Sequence, residues 1–232
     1  MTRDEIKALR GLLFDKDGTL FGFQESWAPA FAQLLKRLAA QGVDAPAAAE
    51  AIGFDLSAAR FAPHSPVIAG TPAELSALLA PHLSPVSASI DGMLDDWAET
   101  ITLAPVTDLS ALTLKLRGAG FTLGVATNDA EAAARAHLGP VSTAFDYIVG
   151  SDSGHGAKPD PGMITAFVAA SGHGPHQIAM IGDSLHDLRA AASAGVRRIA
   201  VLTGVAAADA LAPYADVVLN SIAELPGLLE VG

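Results

Sequence analysis

Short apolar runs bounded by turn residues recur along the chain, and stretches with helical periodicity separate most of them. A strand that is buried on both faces needs an apolar run of about four to eight residues. The pattern predicts six strands, at residues 11–14, 121–127, 145–149, 178–181, 198–203 and 216–219. Strands that alternate with helices are typical of a mostly parallel sheet with helices on both faces. The predicted fold class is therefore α/β.

The stretch 21–103 interrupts this alternation. Its apolar positions follow a helical period, and no run in it is convincing as a strand. Helices are predicted over residues 27–40, 71–79 and 87–103. The aromatic turn "FGFQESW" and the proline at 105 are suitable points for the chain to leave and re-enter a core. We expect a core domain formed by residues 1–20 and 104–232, with an all-helical domain inserted at 21–103.

Composition and charge limit the classes of function. With 232 residues, half of them hydrophobic, the chain can bury a full core. A formal charge of −11 argues against a nucleic-acid partner, because phosphate backbones are bound by lysine and arginine. No apolar run approaches the roughly 18 residues of a membrane span, and the charged first residues do not resemble a secretion signal. We therefore expect no membrane partner and a cytoplasmic location.

Four predicted strands end in residues that can do chemistry, and the absence of cysteine leaves this work to oxygen and nitrogen groups. These residues are Asp15, Thr127, Asp152 and Asp183. The carboxyl ends of parallel strands meet at one edge of a sheet, where ligands bind. In "LLFDKDGTLF", Asp15 and Asp17 occupy alternate positions and can face one pocket while Lys16 faces away. A turn that leaves a strand would contain the same residues without any chemistry, and that alternative stays open.

The segment "IAMIGDSLHDLRAAASAG" places a second group of acids at a strand end. Ser184 and Asp187 fit a capping box, which gives Asp187 a structural explanation, whereas Asp183 has none. If these acids share a pocket with Asp15 and Asp17, each pair about 5 Å apart repels by about 3 kcal/mol at an effective dielectric of ~20. Such a cluster requires a cation. Ligands that are all oxygen favour Mg²⁺.

Two further segments contribute polar groups between these acids. "LGVATND" is a strand that ends in Thr127 and Asn128, and "GHGAKPDPGMI" holds Lys158 next to Pro159. A residue before proline favours an extended backbone, so Lys158 is expected at the entrance of the next helix. A helix-capping threonine and a solvent-facing lysine would explain the same residues.

Taken in order, four motifs resemble those of the haloacid dehalogenase superfamily of phosphohydrolases, and in particular its phosphoglycolate-phosphatase-like branch. They are "DKDGT" at 15–19, "VATN" at 125–128, "GAKPDP" at 156–161 and "GDSLHD" at 182–187. The motifs span nearly the whole predicted core. The resemblance implies a Rossmann-like core with a helical cap domain inserted after the first motif, which agrees with the strandless stretch found from the pattern alone.

The resemblance also implies catalytic roles. Asp15 would be the nucleophile that forms an aspartyl-phosphate, by attack on phosphorus. Asp17 would protonate the leaving oxygen and then activate water. The phosphoryl group would be held by Thr127, Asn128 and Lys158.

The metal set implied by the resemblance combines acids from both groups. Mg²⁺ would be bound by Asp15, Asp183 and the backbone carbonyl of Asp17. Asp187, with Ser184 beside it, would support the site by orienting the phosphate-binding lysine or metal-bound water.

The expected function is Mg²⁺-dependent hydrolysis of a small phosphorylated metabolite, and the resemblance suggests 2-phosphoglycolate first. The presence of Asp17 argues against dehalogenation and cation pumping. A sugar phosphomutase and a non-catalytic relative that binds a phosphorylated ligand or a partner remain alternatives. In the inserted stretch, Arg60 and His64 are the candidates for substrate specificity. The chain is expected to be a monomer or a homodimer.

Overall fold

A parallel sheet forms the centre of the molecule in the computed structural model, which describes residues 1–83 and 97–231. The strands of this part of the chain are β1 (Gly11–Phe14), β2 (Phe54–Asp55), β3 (Arg60–Phe61), β4 (Thr122–Ala126), β5 (Tyr147–Val149), β6 (Ile178–Gly182), β7 (Arg197–Val201) and β8 (Val217–Leu219). Six of them form one sheet in the order β5-β4-β1-β6-β7-β8, and every neighbouring pair in it is parallel. The predicted α/β fold class is confirmed, and each predicted sheet strand is present to within a few terminal residues.

Helices cover the sheet and build the stretch between β1 and β4. They are α1 (Arg3–Ala8), α2 (Phe23–Ala40), α3 (Ala45–Ala51), α4 (Pro72–Leu79), α5 (Leu109–Gly118), α6 (Glu131–Leu138), α7 (Gly162–Ser171), α8 (Leu185–Ala194), α9 (Ala208–Leu211) and α10 (Leu225–Leu228). Short 3₁₀ turns lie at Pro66–Ile68, Ala80–His82, Gly139–Ala144, Pro175–Gln177 and Ile222–Glu224. Within the described residues, no helix is both long enough and apolar enough to cross a membrane.

The central strand β1 is buried on both faces, which explains its uninterrupted apolar sequence. Successive side chains of a strand point to opposite faces. Leu12 and Phe14 accordingly join one hydrophobic cluster, and Leu13 joins another on the opposite side of the sheet. The strand that carries the first motif is therefore fixed by packing from both layers of helices.

Helix α2 begins the inserted stretch and buries one side. Its buried aromatic residues Phe23, Trp27 and Phe31 are four positions apart, the spacing of one face of an α-helix. Two rings on this face, those of Trp27 and Phe31, lie 6.1 Å apart between centroids. The predicted helix at 27–40 is confirmed, and it begins one turn earlier than expected.

The antiparallel pair β2–β3 departs from the expectation of an all-helical insertion. Phe54 pairs with Phe61 and Asp55 with Arg60, and the two phenylalanine rings lie 4.9 Å apart between centroids. Each strand has two residues, which is too short to show a period of two in the sequence. The cross-strand pair of phenylalanine rings stabilises this short ribbon.

The chain enters and leaves this stretch at two adjacent points. Gly22 N donates to Ala104 O over 2.9 Å, and Val106 N donates to Leu20 O over 3.0 Å. The two connecting segments therefore run side by side, close to the expected boundaries at 20/21 and 103/104. The division into a core domain and an inserted domain stays a prediction.

The third predicted helix of the insertion, 87–103, lies largely outside the described residues. In its described part, Trp97–Glu99 are helical and Ile101–Leu103 are not. The second predicted helix of the insertion, 71–79, is confirmed as α4.

Candidate active site

Polar residues from several strands meet at the carboxyl edge of the sheet. Asp15 directly follows β1, Thr127 follows β4 and Asp183 follows β6, and these three strands are adjacent in the sheet. From β1 the chain order runs outward on both sides, to β4 and β5 on one side and to β6, β7 and β8 on the other. Such a reversal point is where open α/β sheets bind ligands.

Lys158 lies between two carboxylates of this edge. Its Nζ donates to Asp15 Oδ1 over 2.5 Å and to Asp187 Oδ1 over 2.7 Å, and all three side chains are buried. The lysine is fixed through its backbone by Asn128, whose Oδ1 accepts from Lys158 N over 2.8 Å and whose Nδ2 donates to Lys158 O over 2.9 Å. Asn128 Nδ2 also donates to Ala69 O over 2.8 Å, so the same amide contacts the inserted stretch. A phosphate contact from Asn128 would therefore come from its backbone N–H.

Asp187 has two roles in the structure. With Ser184 it forms the capping box expected from the sequence, in which its Oδ2 accepts from Ser184 Oγ over 2.6 Å. Its other oxygen accepts from Lys158. The first turn of α8 thus positions an acid that caps the helix and also contacts the buried lysine, and a functional role of Asp187 stays a prediction.

Three buried carboxylates gather around this lysine. One oxygen each from Asp15, Asp183 and Asp187 lies within 4.8 Å of the others. Burial raises the pKa of Asp15 to about 7, against the attraction of Lys158 and with a further increase from Asp187. Burial, followed by repulsion from Asp15 and Asp187, also raises the pKa of Asp183. One ammonium group is too little charge for three carboxylates, so the donor set fits a hard divalent cation.

Gly18 lets the first motif pass close to this cluster. Its φ of +82° lies in the left-handed region, and a Cβ at this position would collide with the carboxylate of Asp183. Thr203 Oγ1 donates to Gly18 O over 2.6 Å and holds the turn from the other side.

The carboxylate of Asp17 contacts Lys16 and Trp27 instead of the three-acid cluster. Its Oδ2 forms an ion pair with Lys16 Nζ at 2.6 Å, and its Oδ1 accepts from Trp27 Nε1 over 2.7 Å. Asp17 lines the same cavity as Asp15, but its carboxylate is not part of the three-acid cluster, whereas that of Asp187 is. The expected contact of Asp17 with a metal through its backbone carbonyl stays a prediction.

A buried network around Lys16 was missed by the sequence analysis. Lys16 is fully buried, and its Nζ also contacts Asp129 Oδ2 at 2.9 Å and His137 Nδ1 at 3.2 Å. It lies 5.4 Å from the ring centroid of Trp27. Burial opposes a charge on Lys16, but Asp129 and Asp17 outweigh this effect and raise the pKa of the lysine. The alternation of Lys16 with two aspartates was the available signal, because a lysine that is fully buried needs acidic partners.

His137 extends this network to the inserted stretch. Burial, together with the charge of Lys16, lowers the pKa of His137. A neutral ring accepts at Nδ1 from Lys16 and donates from Nε2 to Ala98 O, over 2.7 Å. This arrangement assigns the proton to Nε2.

The remaining predicted residues divide between the site and its surroundings. Thr127 and Ser184 line the cavity with the acids, and His64 lines a wider neighbouring cleft that also contains Lys158. Arg60 is exposed on β3 and is absent from the described linings of both cavities, so a role in substrate specificity stays a prediction without support from its position. Asp152 accepts from Glu131 N over 2.8 Å at the start of α6 and is exposed, so the strand-end argument placed it wrongly in the site.

A cavity opens above the acids, between the carboxyl edge of the sheet and the inserted stretch. Its volume is about 90 Å³, several times the roughly 10–15 Å³ that one water requires on the same measure. From the inserted stretch it is lined by Phe23, Trp27, Phe31, Pro66, Val67, Ile68, Ala69, Gly70, Thr71, Pro72, Leu75, Leu78, Trp97, Ala98 and Glu99. A small molecule that reaches Asp15 would therefore contact both parts of the chain.

Comparison with known proteins identifies the family. The sequence model of the haloacid dehalogenase-like hydrolases matches residues 9–195, and the chain belongs to this family. The match contains the inserted stretch and all four motifs, whereas α1 and the last two strands of the sheet, β7 and β8, lie outside it.

Individual relatives agree with this assignment. The chain is 35% identical over 115 residues to "Probable phosphatase IndB" of Dickeya dadantii, an alignment that covers 48% of this chain and 50% of that protein. It is 33% identical over 125 residues to the phosphoglycolate phosphatase of Caulobacter vibrioides, covering 53% of each. These matches span about half the length of the curated relatives. Among solved structures, CbbY from Rhodobacter sphaeroides in complex with phosphate superimposes with a TM-score of 0.68 at 26% identity, covering 96% of this chain and 99% of that one.

Proposed function

We propose that the protein hydrolyses phosphate monoesters through a phosphoryl group carried on Asp15. The observation that carries this proposal is the buried contact of Lys158 with Asp15 and Asp187, at the edge of the sheet where β1 ends beneath a cavity. The phosphatase names of two relatives that are 33% and 35% identical support it. The site contains a nucleophile, a cation beside it and room for a small molecule.

In the first half of the reaction, a carboxylate oxygen of Asp15 attacks phosphorus. The bond between phosphorus and the leaving oxygen breaks, and that oxygen takes both bonding electrons and a proton from Asp17. In the second half, water attacks phosphorus, Asp17 accepts a proton from it, and the bond to Asp15 breaks to release phosphate. In the structure both oxygens of Asp17 are held, one by Trp27 Nε1 and one by Lys16 Nζ, which fixes the orientation of the proposed acid–base group.

The surrounding residues neutralise and orient the phosphoryl group. Lys158 is cationic, because Asp15 and Asp187 outweigh the effect of burial and raise its pKa. Thr127 lines the cavity as a hydroxyl donor. The carboxylates of Asp15 and Asp183 would hold Mg²⁺ together with the backbone carbonyl of Asp17, with Asp187 completing the acidic cluster. When bound, the ion would offset negative charge on the phosphoryl oxygens.

The stretch 21–103 is proposed to act as a cap domain over this site. It supplies the apolar upper wall of the cavity, and its two connections to the core lie side by side. A cap that closes over the substrate would exclude water other than the attacking molecule.

The test is phosphate release from a panel of phosphate monoesters, with Mg²⁺ and with a chelator, by the wild type and the Asp15→Asn variant. The matched control is Asp152→Asn, which changes a strand-end acid outside the cavity. Metal-dependent release that Asp15→Asn abolishes and Asp152→Asn retains supports the proposal. Isomerisation of a sugar phosphate without phosphate release would instead identify a mutase. Binding of phosphorylated ligands without turnover would identify a non-catalytic relative.

A further inference from the structure

The wall of the cavity that faces Asp15 from the inserted stretch is predominantly apolar. Trp27, Phe31 and Trp97 form an aromatic group in it, with ring centroids 5.0 to 6.2 Å apart. Ile68 and Leu75 continue the wall on the side of α4. The part of a substrate beyond its phosphate would therefore contact rings and aliphatic side chains.

Among the residues that the structure describes, this wall contains no basic side chain. Among the described residues, the cavity is lined by two basic side chains, Lys158 and His186, and both come from the core. Lys158 is already paired with two carboxylates, at 2.5 and 2.7 Å. The basic residues of the insertion are Lys36, Arg37, Arg60, His64 and His82. The described part of the chain places none of these five in the lining of this cavity.

The segment of the insertion outside the described residues adds no basic residue to this count. Residues 84–96 contain three aspartates and no lysine, arginine or histidine. Acidic groups are present in the cavity itself, where Asp17, Asp129 and Glu99 accompany Asp15 and Asp183. A second anionic group on a substrate would lose its hydration and meet no partner cation in the apolar wall.

We propose that the substrate is a phosphate monoester of an uncharged apolar alcohol, with a branched aliphatic or aromatic group against the wall formed by Trp27, Phe31, Trp97, Ile68 and Leu75. The inference rests on the proposed phosphatase function and narrows its substrate class. It differs from the expectation of 2-phosphoglycolate, whose carboxylate would enter an apolar and acidic environment. Apolar surface removed from water provides the selectivity.

The test uses a pair of substrates with the same shape. Isobutyl phosphate replaces the carboxylate of 2-phosphoglycolate with an isopropyl group and keeps the ester linkage. The wild type is expected to favour isobutyl phosphate by about ten- to hundredfold in kcat/KM. An equal or higher kcat/KM for 2-phosphoglycolate overturns the inference and leaves the phosphatase proposal standing. Absence of phosphate release from both esters and from the wider panel contradicts the phosphatase proposal itself.

A variant in the wall tests the cause of the preference. Ile68→Arg adds a cation to the lining and is expected to shift the ratio at least about tenfold toward 2-phosphoglycolate. Leu56→Arg is the matched control, because Leu56 is 44% exposed and lies outside this lining. An unchanged ratio in a folded Ile68→Arg protein overturns the inference. The wild-type substrate pair decides the matter if that variant does not fold.

Discussion

Trp27 Nε1 donates a hydrogen bond to Asp17 Oδ1 over 2.7 Å, which connects helix α2 to the second aspartate of the first motif. The indole also lies over Lys16, whose ammonium group is paired with the other oxygen of the same carboxylate. The orientation of Asp17 is thus set by one residue of the core and one of the inserted stretch. The orientation of the proposed acid–base group therefore depends on contact between these two parts of the chain.

Trp27→Phe removes this hydrogen bond and keeps an aromatic ring in the cavity. Hydrogen bonds to charged groups contribute about 1.5–3 kcal/mol, so we expect kcat to fall by about 10- to 100-fold. Trp97→Phe is the matched control, because Trp97 lines the same cavity and its ring packs against Trp27. Both rings belong to the wall of the cavity, so KM is expected to change in both variants, whereas kcat should fall in Trp27→Phe alone. Equal kcat values in the two variants would show that the indole N–H does not position Asp17.

Lys16→Met leaves Asp17 and Asp129 without their shared cation. Breaking a buried ion pair by removal of one partner typically costs about 3–5 kcal/mol, and Lys16 is fully buried. We expect a loss of this size in the free energy of unfolding, measured by urea denaturation. Lys36→Met is the control, because Lys36 is exposed on α2 and its change should stay within about 0.5 kcal/mol. Similar stabilities of the two variants would mean that the network around Lys16 is not a structural element.

The affinity of the proposed metal site should depend on pH, because protons compete with the metal for its carboxylates. The pKa of Asp15 is raised from 3.8 to about 7, so without metal the folded state loses stability as the pH rises through this range. At the proposed site Mg²⁺ would compete with the proton on Asp15, so the affinity for Mg²⁺ should increase about tenfold between pH 6 and pH 8. The stabilisation of the protein by Mg²⁺, followed as the shift in Tm, should therefore be larger at pH 8.

Two variants test whether the stabilisation by Mg²⁺ arises at the three-acid cluster. Asp183→Asn removes one carboxylate of the cluster and should abolish the Mg²⁺-dependent shift in Tm. Asp152→Asn, outside the cavity, should retain it. A shift that persists in Asp183→Asn, or that is larger at pH 6 than at pH 8, would place the metal elsewhere.

The sequence predicted what depends on local pattern. Apolar runs identified the sheet strands, and the position of Asp15 and Asp183 after two of them identified the edge of the sheet where they meet. Asp152 was the exception, because its carboxylate accepts from the first N–H of α6, the helix that precedes its strand, instead of facing the pocket. The position of a residue after a strand predicts the edge of the sheet at which it lies, but it does not predict the direction of its side chain.

Long-range contacts could not be predicted from the sequence. Trp27 was the first residue of a predicted helix and His137 was assigned no role, yet both contact the first motif, Trp27 through Asp17 and His137 through Lys16. The ribbon that carries Arg60 was missed because its strands are two residues long. The candidate for substrate specificity was chosen by charge, whereas the wall of the cavity is set by packing of α2, α4 and Trp97.

The most direct test of the central claim is chemical trapping of the phosphoryl group on Asp15. Borohydride reduces an acyl phosphate, but not a carboxylate, to the alcohol, so phosphorylated Asp15 would become homoserine. The Asp17→Asn variant is treated with Mg²⁺ and 4-nitrophenyl phosphate, whose leaving group needs no acid. Because this variant lacks the base for the second step, the phosphorylated form of Asp15 should accumulate. Peptide mass spectrometry should then find homoserine at position 15, and none in Asp15→Asn. Release of nitrophenol in excess of enzyme by the wild type, with position 15 unmodified in the trapped variant, would contradict the account.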